Sequence, residues 1–167
     1  MTTTGRKELQ HPRFARQYLK MAAESDRRGG AAHRDRLLTG LAGRVLEVGA
    51  GQGRNFRHYP DDVTEVVAVE PDDTLPGAPA EAAHVLRPRG ELHFYEHVRS
   101  PRRWAGLLED AIIPLWSRAG GGCHPNRDTE TAIRAAGFTV REICRFGFSF
   151  SPFVPDSLHI IGTAVRP

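Results

Sequence analysis

Lysine, cysteine and long apolar runs are scarce or missing in this sequence of 167 residues. Its two cysteines, Cys123 and Cys144, form no CxxC pair, so the sequence indicates neither a metal site nor a redox motif, and we expect both thiols to be reduced. No apolar run approaches the roughly 18 residues that a membrane-spanning helix requires. The basic start of the chain also lacks the apolar core of a signal peptide. We therefore expect a cytoplasmic protein without a membrane partner.

Lysine is represented only by Lys7 and Lys20, so arginine supplies most of the 23 basic residues and the formal net charge of +3. The arginines are scattered along the chain, and aromatic residues of the kind that stack nucleobases do not alternate with them. This pattern is more typical of a solvated basic surface than of a nucleic-acid interface. We expect no nucleic-acid partner.

Hydrophobic spacing divides the chain into an N-terminal helical segment, residues 1–43, and a domain over residues 44–167, which together should fold as one unit. The segment should contain an amphipathic helix from His11 to Arg28 and a second helix around Arg34 to Leu41. The domain begins with a short buried strand, Val45 to Val48, that ends in glycines. A second buried strand, in "EVVAVEPD", ends in an acid.

A glycine-rich loop, "EVGAGQG", joins the first predicted strand to the next helix. Gly49, Gly51 and Gly53 follow the spacing GxGxG, which lets the backbone turn sharply and lets a ligand approach without meeting a Cβ. The following helix would direct its N–H groups towards such a ligand. The alternative is a tight strand-to-helix turn that binds nothing. A nicotinamide-binding loop is disfavoured, because Arg54 occupies the position of its third glycine.

Acidic residues flank this loop: Glu47 lies two residues before the first glycine, and Glu70 ends the second strand. Together with the three alternate glycines, this arrangement resembles the nucleotide-binding half of class I S-adenosylmethionine-dependent methyltransferases. By that resemblance the loop lines the methionine part of the cofactor S-adenosylmethionine, Glu47 orients its amino group and Glu70 holds the ribose. The cofactor-binding residues that the resemblance implies are Glu47, Gly49, Ala50, Gly51, Gly53, Asn55, Glu70 and Pro71.

The C-terminal half carries further motifs. "HVLRPRGELHFYEHV" resembles the helix end, Pro-Gly turn and fifth strand of the methyltransferase-11 type, with Arg89 in place of the first glycine of the usual "VLRPGG". "GGGCHPNRDTETAIRAAGF" resembles the segment before the sixth strand, and "SLHIIGTAV" would be the seventh strand, completing an antiparallel C-terminal hairpin. These segments resemble the thiol S-methyltransferase branch of the family, and the resemblance covers Arg44 to Arg166. It implies an α/β fold with a Rossmann-like class I methyltransferase sheet.

One part of this fold is much shorter than in the family. Between the second strand and the "VLRPRG" turn, the missing β-α units and their loops would need on the order of 50 to 60 residues. This chain has only Pro71 to His84 there, so we expect a sheet reduced by the loss of two β-α units. In the family the fourth strand lies between the first and the fifth. Because buried unpaired backbone groups cost about 1–3 kcal/mol each, we expect the fifth strand to pair directly with the first.

The candidate residues of the site that binds the methyl acceptor are His97, Cys123 and His124. His97 ends the fifth strand and is placed to act as a base, although a polar strand-end residue is the simpler interpretation. Cys123 and His124 would line an acceptor pocket, but a glycine-rich loop before a helix capped by Asn126 explains them about as well. The sequence identifies no catalytic residue.

These motifs leave two functions open. The first is S-adenosylmethionine-dependent methyl transfer to a small molecule, with thiols or similar soft nucleophiles as the suggested acceptor class. The alternative is a catalytically silent methyltransferase remnant that acts as an interaction module. In that case apolar surfaces uncovered by the deletion should drive self-association.

Overall fold

The computed structural model describes residues 21–50, 53–69, 86–119, 126–149, 151–152 and 155–167. These ranges contain five strands: β1 (Gly43–Val48), β2 (Val63–Val69), β3 (Glu91–His97), β4 (Thr139–Phe148) and β5 (Ser157–Val165). The helices are α1 (Ala31–Leu38), α2 (Arg103–Ala119) and α3 (Thr129–Ala135), with a π-helical turn at Asp26–Gly30 and a 3-10 turn at Phe56–His58. Among the helices of these described ranges, none has both the length and the apolar character to cross a membrane.

The three C-terminal strands form one antiparallel sheet in the order β3-β5-β4. The predicted C-terminal hairpin, formed by β4 and β5, is therefore confirmed, and β5 is the central strand of the sheet. One face of this sheet packs on α3, and the buried core between them consists of Phe94, Val98, Ile133, Phe138, Ile160 and Ala164. Because long β-branched and aromatic runs suit a half-buried pleated surface, these strands were readable from the sequence.

A β-bulge lies near the start of β4, where the register of β4 against β5 shifts between Val140 and Glu142. Gly162 on β5 lies beside the bulge. A Cβ built at Gly162 would come within 2.1 Å of the Glu142 carbonyl oxygen and 2.8 Å of the Phe94 ring. Only glycine therefore lets the three strands approach so closely here.

The first two strands form a separate parallel pair, β1-β2. The expectation that the fifth strand of the family, here β3, pairs directly with the first is wrong for the described residues, because β3 pairs only with β5 and β1 only with β2. The predicted closure assumed buried backbone edges. The end of β1 is instead partly open to solvent, with Val48 43% exposed. Water can satisfy the backbone groups of such an edge, so the cost that favoured closure is reduced.

The N-terminal segment packs on the other face of the three-stranded sheet. His93 Nδ1 lies 2.6 Å from the Leu37 carbonyl oxygen, and the His33 ring lies 4.6 Å from the Phe146 ring, centroid to centroid. Helix α1 spans Ala31–Leu38, so the second predicted helix exists but begins and ends about one turn earlier than expected. Most of the first predicted helix lies outside the described residues; the part from 21 to 25 is helical.

Two local predictions are resolved near α3 and β3. Helix α3 is capped by Asp128, whose carboxylate accepts a hydrogen bond from Thr131 N, so the predicted cap at Asn126 is wrong. Asn126 Nδ2 instead donates to Asp110 Oδ1 at 3.0 Å. Arg89, which replaces a glycine of the family motif, adopts φ 63°, the left-handed conformation that glycine usually supplies. Its N–H donates to the Arg166 carbonyl oxygen at 3.0 Å, which fixes the turn.

Candidate cofactor site

The glycine loop begins where β1 ends at Val48. Gly49 and Gly53 have φ angles of 78° and 68°, in the left-handed region that favours glycine. Gly53 N–H donates to the Ala50 carbonyl oxygen at 2.8 Å, and Phe56 N–H donates to the Gly53 carbonyl oxygen at 3.0 Å. These bonds turn the chain from the strand into the 3-10 turn within a few residues.

The two glycines are needed for different reasons. A Cβ at Gly53 would lie 2.7 Å from the ring of Phe56, so the loop and the following turn would collide. A Cβ at Gly49 would have no neighbouring atom within 4 Å. Among the described residues, no atom occupies the space beside Gly49, and a ligand could approach the backbone from that side.

Glu47 lies on β1 directly before the loop, and its side chain is buried, with 6% exposure for the residue. Its carboxylate accepts two hydrogen bonds, from Asn55 Nδ2 at 2.7 Å and from the Tyr59 hydroxyl at 3.0 Å. Burial, with the neighbouring Glu47 carboxylate, raises the pKa of Tyr59 above its ordinary value, so this phenol keeps its proton and donates. Each carboxylate oxygen retains acceptor capacity for a ligand ammonium group.

Asp26 in the N-terminal segment gathers three guanidinium groups beside the loop. Its carboxylate lies 2.6 Å from Arg54 Nη1, 3.2 Å from Arg34 Nη2 and 3.2 Å from Arg57 Nη2. Burial alone would raise the pKa of Asp26, but the bonds and charges of Arg54 and Arg34 outweigh it and lower the pKa. Arg34 also donates to Asn55 Oδ1 at 3.1 Å, which joins this cluster to Glu47.

Histidines and aromatic rings form a second cluster at the end of β3. His97 stacks on His159 with ring centroids 4.7 Å apart, and His33 contacts Tyr95 from α1. Burial, with the neighbouring His159, lowers the pKa of His97 to about 4. His97 Nε2 is buried and has no hydrogen-bond partner within the described parts of the chain. His97 is therefore neutral at pH 7, with an imidazole much less basic than a free one.

Glu96 is a titratable residue on β3 that the sequence reading missed. Glu96 is exposed to solvent on β3. Nearby protein raises the pKa of the Glu96 carboxyl, while the charge of Arg127 lowers this pKa in part.

The structure brings together five predicted cofactor residues: Glu47, Gly49, Ala50, Gly53 and Asn55. The remaining predicted positions lie outside the described residues: Gly51, Glu70, Pro71, Cys123 and His124. His97 lies in the histidine cluster at the end of β3, where it stacks on His159. Within the described ranges, no group of three or more histidine, cysteine or acidic side chains is arranged to hold a metal ion.

Three residues of the site carried weak or no sequence signal. Tyr59 follows Asn55 by four residues in "RNFRHYP", a spacing that suits two side chains turned the same way, and this signal was available. Asp26 and Arg34 lie more than 20 residues from their partners in the loop. A single sequence contains no local pattern that reports such contacts.

Comparison with known proteins supplies independent information. No family model matches the chain. Thiol S-methyltransferase TMT1B of Rattus norvegicus is 36% identical over 89 residues, which cover 52% of this chain and 35% of the relative. TMT1B of Homo sapiens is 27% identical over 182 residues, covering 77% of this chain and 74% of the relative. In the first of these matches the chain thus spans only about a third of the relative's length.

Solved structures share the fold at low identity. A methyltransferase-like protein from Bacillus halodurans superimposes with a TM-score of 0.60 at 13% identity, covering 81% of this chain and 98% of the other. A methyltransferase-like protein of Haloferax volcanii, solved in complex with the methyltransferase activator Trm112, gives a TM-score of 0.53 at 14% identity, covering 89% and 94%. The curated matches and the solved structures agree with the resemblance seen in the motifs: the chain is similar in sequence to thiol S-methyltransferase TMT1B, and it shares the methyltransferase fold.

Proposed function

We propose that the chain binds S-adenosylmethionine at the glycine loop and transfers its methyl group to a small molecule, with a thiol or similar soft nucleophile as acceptor. The observation that carries this proposal is the buried Glu47 carboxylate, held by Asn55 and Tyr59 directly before a loop in which no described residue fills the space beside Gly49. The similarity to thiol S-methyltransferases supports the acceptor class. A cytoplasmic location and the absence of nucleic-acid partners belong to the same proposal.

S-adenosylmethionine, when bound, supplies an electrophilic methyl group on a sulfonium. The protein's task is then to hold and orient both reactants and to exclude water. Glu47 would accept from the ammonium group, and the loop backbone around Gly49 would contact the methionine part. Glu70 and Pro71 are proposed to hold the ribose side.

A thiol acceptor must lose a proton as its sulfur forms the new bond. His97 is a weak base because burial, with the neighbouring His159, lowers its pKa to about 4. Glu96, the preceding residue on β3, points to the opposite face of the sheet, so it does not share a site with His97. We therefore propose that the thiol proton passes to solvent water, with His97, Cys123 and His124 as lining residues of the acceptor site.

Titration calorimetry with S-adenosylhomocysteine tests cofactor binding directly. We expect a dissociation constant below about 100 µM, that is, a binding free energy stronger than roughly 5 kcal/mol. Gly53→Val serves as the negative control, since its side chain would meet the Phe56 ring and leave a left-handed position. If the wild-type chain releases no heat at millimolar ligand, the proposed function is wrong.

The internal deletion bears on how much activity this chain retains. The match to human TMT1B extends over 182 residues, although it covers only 77% of the 167 residues of the present chain. Part of the relative therefore lacks a counterpart here, which supports the expected loss of two β-α units. A native mass equal to 18.5 kDa would agree with a true deletion, whereas an excess of roughly 5–6 kDa would contradict it.

A second function, as an interaction module, is favoured by helix α2. Four of its large apolar side chains are between 43% and 67% exposed: Trp104, Leu107, Leu108 and Ile112. The acids of the helix are engaged on the protein instead. Glu109 accepts from Ser100 N at 2.9 Å, and Asp110 accepts from Arg99 at 2.9 Å. Helix α2 thus turns its polar side to the protein and its apolar side outwards, the reverse of an ordinary surface helix.

We propose a second copy of this chain as the partner of that apolar face. Trp104, Leu108 and Ile112 are spaced by four residues, so two antiparallel α2 helices related by a twofold axis at Leu108 would place each Trp104 against the partner's Ile112. Sedimentation should show a dimer, and Leu108→Glu should convert it to a monomer. Leu92→Ala, on β3, is the control and should remain a dimer. A monomeric wild type at high micromolar concentration would contradict self-association and leave a different protein as the partner to be sought.

A further inference from the structure

Asp26 is buried more deeply than the arginines that surround it. Its side chain is 10% exposed, against 19% for Arg34 and 24% for Arg54. A carboxylate so enclosed is stabilised only when charged partners replace the water it has lost. The three guanidinium groups supply that replacement, and they tie the N-terminal segment to the residues that follow the glycine loop.

Arg34 extends this cluster to the cofactor loop through a second partner. While its Nη2 pairs with Asp26, its Nη1 donates to Asn55 Oδ1 at 3.1 Å. The Asn55 amide then donates through Nδ2 to Glu47 Oε1 at 2.7 Å. A guanidinium can only donate and an ionised carboxylate can only accept, so the two ends of the relay fix which way the Asn55 amide points.

We infer that Arg34 is a positioning residue for the cofactor site, and that the N-terminal segment is part of that site through the relay Asp26–Arg34–Asn55–Glu47. The inference rests on the proposed cofactor function and deepens it. Within the described part of the chain, Arg34 donates hydrogen bonds to Asp26 and Asn55 and not to Gly49, Gly53 or Glu47. It acts by holding the Asn55 oxygen, so that the amide N–H is presented to Glu47 and the carboxylate keeps its orientation.

Losing Arg34 would have a specific chemical consequence. The Asn55 amide would be free to rotate, and its oxygen would spend part of the time facing Glu47, where two acceptors repel. The carboxylate would then lose one of its two donors and its fixed direction. Because orientation of a buried charge determines how well it meets a ligand ammonium group, cofactor affinity should fall even though Arg34 is remote from the ligand.

The test compares three variants by titration with S-adenosylhomocysteine. Arg34→Met should weaken binding about tenfold. Arg34→Lys can pair with Asp26 but lacks the forked donor that reaches Asn55 at the same time, so it should bind much like Arg34→Met. Arg36→Met is the matched control, since Arg36 is exposed on the same helix, and it should bind within about twofold of the wild type. If Arg34→Lys binds as tightly as the wild type, charge alone matters and the positioning role is wrong.

A second measurement needs no cofactor and separates this inference from the proposed function. In nitrogen-15 spectra of the ligand-free protein, the two Asn55 side-chain amide protons should resonate far apart, because one is bonded to Glu47. Arg34→Met should bring them together, and Arg36→Met should not. If the wild type binds no S-adenosylhomocysteine but the Asn55 resonances respond in this way, the proposed function fails and the relay stands. If the resonances ignore Arg34→Met, the relay is wrong whatever the titration shows.

Discussion

Gly162→Ala should destabilise the protein by about 3 kcal/mol, the upper end of what overpacking costs. The added methyl carbon would lie 2.1 Å from the Glu142 carbonyl oxygen and 2.8 Å from the Phe94 ring. The first of these atoms belongs to the backbone of β4 at the bulge and cannot rotate away. Relief therefore requires β4 and β5 to separate, which breaks ladder hydrogen bonds beside the main core. The midpoint of urea unfolding measures this loss.

Gly147→Ala is the matched control for this prediction. Gly147 lies on β4 in the same hairpin, and a Cβ there would meet Asp156 side-chain atoms at 3.5 Å, an ordinary contact distance. Its effect on stability should stay within about 1 kcal/mol. If both variants unfold at the same urea concentration, the close approach at Gly162 does not constrain the sheet.

Glu47→Gln should weaken binding of S-adenosylhomocysteine by roughly 10- to 100-fold, as expected for losing a charge-assisted hydrogen bond. The amide is nearly the same size as the carboxylate, so the pocket keeps its shape. It can no longer accept through both ends, however, and its NH2 group would face either Asn55 Nδ2 or the Tyr59 hydroxyl, both of which now donate to Glu47. The variant should also lose about 1–3 kcal/mol of stability, because a buried donor is left without an acceptor.

Glu65→Gln provides the comparison on the neighbouring strand. Glu65 lies on β2 and pairs with Arg44 at 2.5 Å on an exposed surface. Exposed ion pairs contribute little, so neither stability nor cofactor affinity should change appreciably. Equal affinities for Glu47→Gln and the wild type in calorimetry would remove Glu47 from the cofactor site.

Much of the fold could be predicted because its strands have a clear local sequence pattern. The apolar runs that form β1, β2, β3 and β5 end in glycine, proline or charged residues, and the structure has strands at each of them. The sequence predicted that β1 and β3 pair, and the described residues show that they do not. This pairing depends on whether water reaches the open edge, which is a property of the packed chain and leaves no local pattern in the sequence.

Helix α2 shows a different kind of failure. Trp104, Leu107, Leu108 and Ile112 follow helical spacing, so the signal for the helix was present in the sequence and was overlooked. Its orientation was not predictable, since an apolar stripe ordinarily faces the core. The exposure of these four side chains, together with the bonds of Glu109 and Asp110 to Ser100 and Arg99 just before the helix, shows that this stripe faces outwards.

The site divides in the same way. Gly49, Gly53 and Glu47 were found from their spacing, because a turn that needs left-handed residues and a strand that ends in an acid both leave local marks. Asp26 and Arg34 join the site across the fold, and the sequence gives no periodicity that connects them to Asn55. The N-terminal segment was accordingly expected as a helical part of the folding unit, without a role in the site.

The division into two sheets places the glycine loop on the weaker half of the molecule. The buried apolar residues of the described chain lie in the three-stranded half and in the N-terminal helical region, and none lies on β1 or β2. The parallel pair should therefore open more readily than the antiparallel sheet, and its amide hydrogens should exchange with solvent sooner. A ligand that binds at the loop requires the folded form of the β1-β2 pair. Its affinity is then reduced by the cost of local ordering, and its presence is recorded as slower exchange along β1.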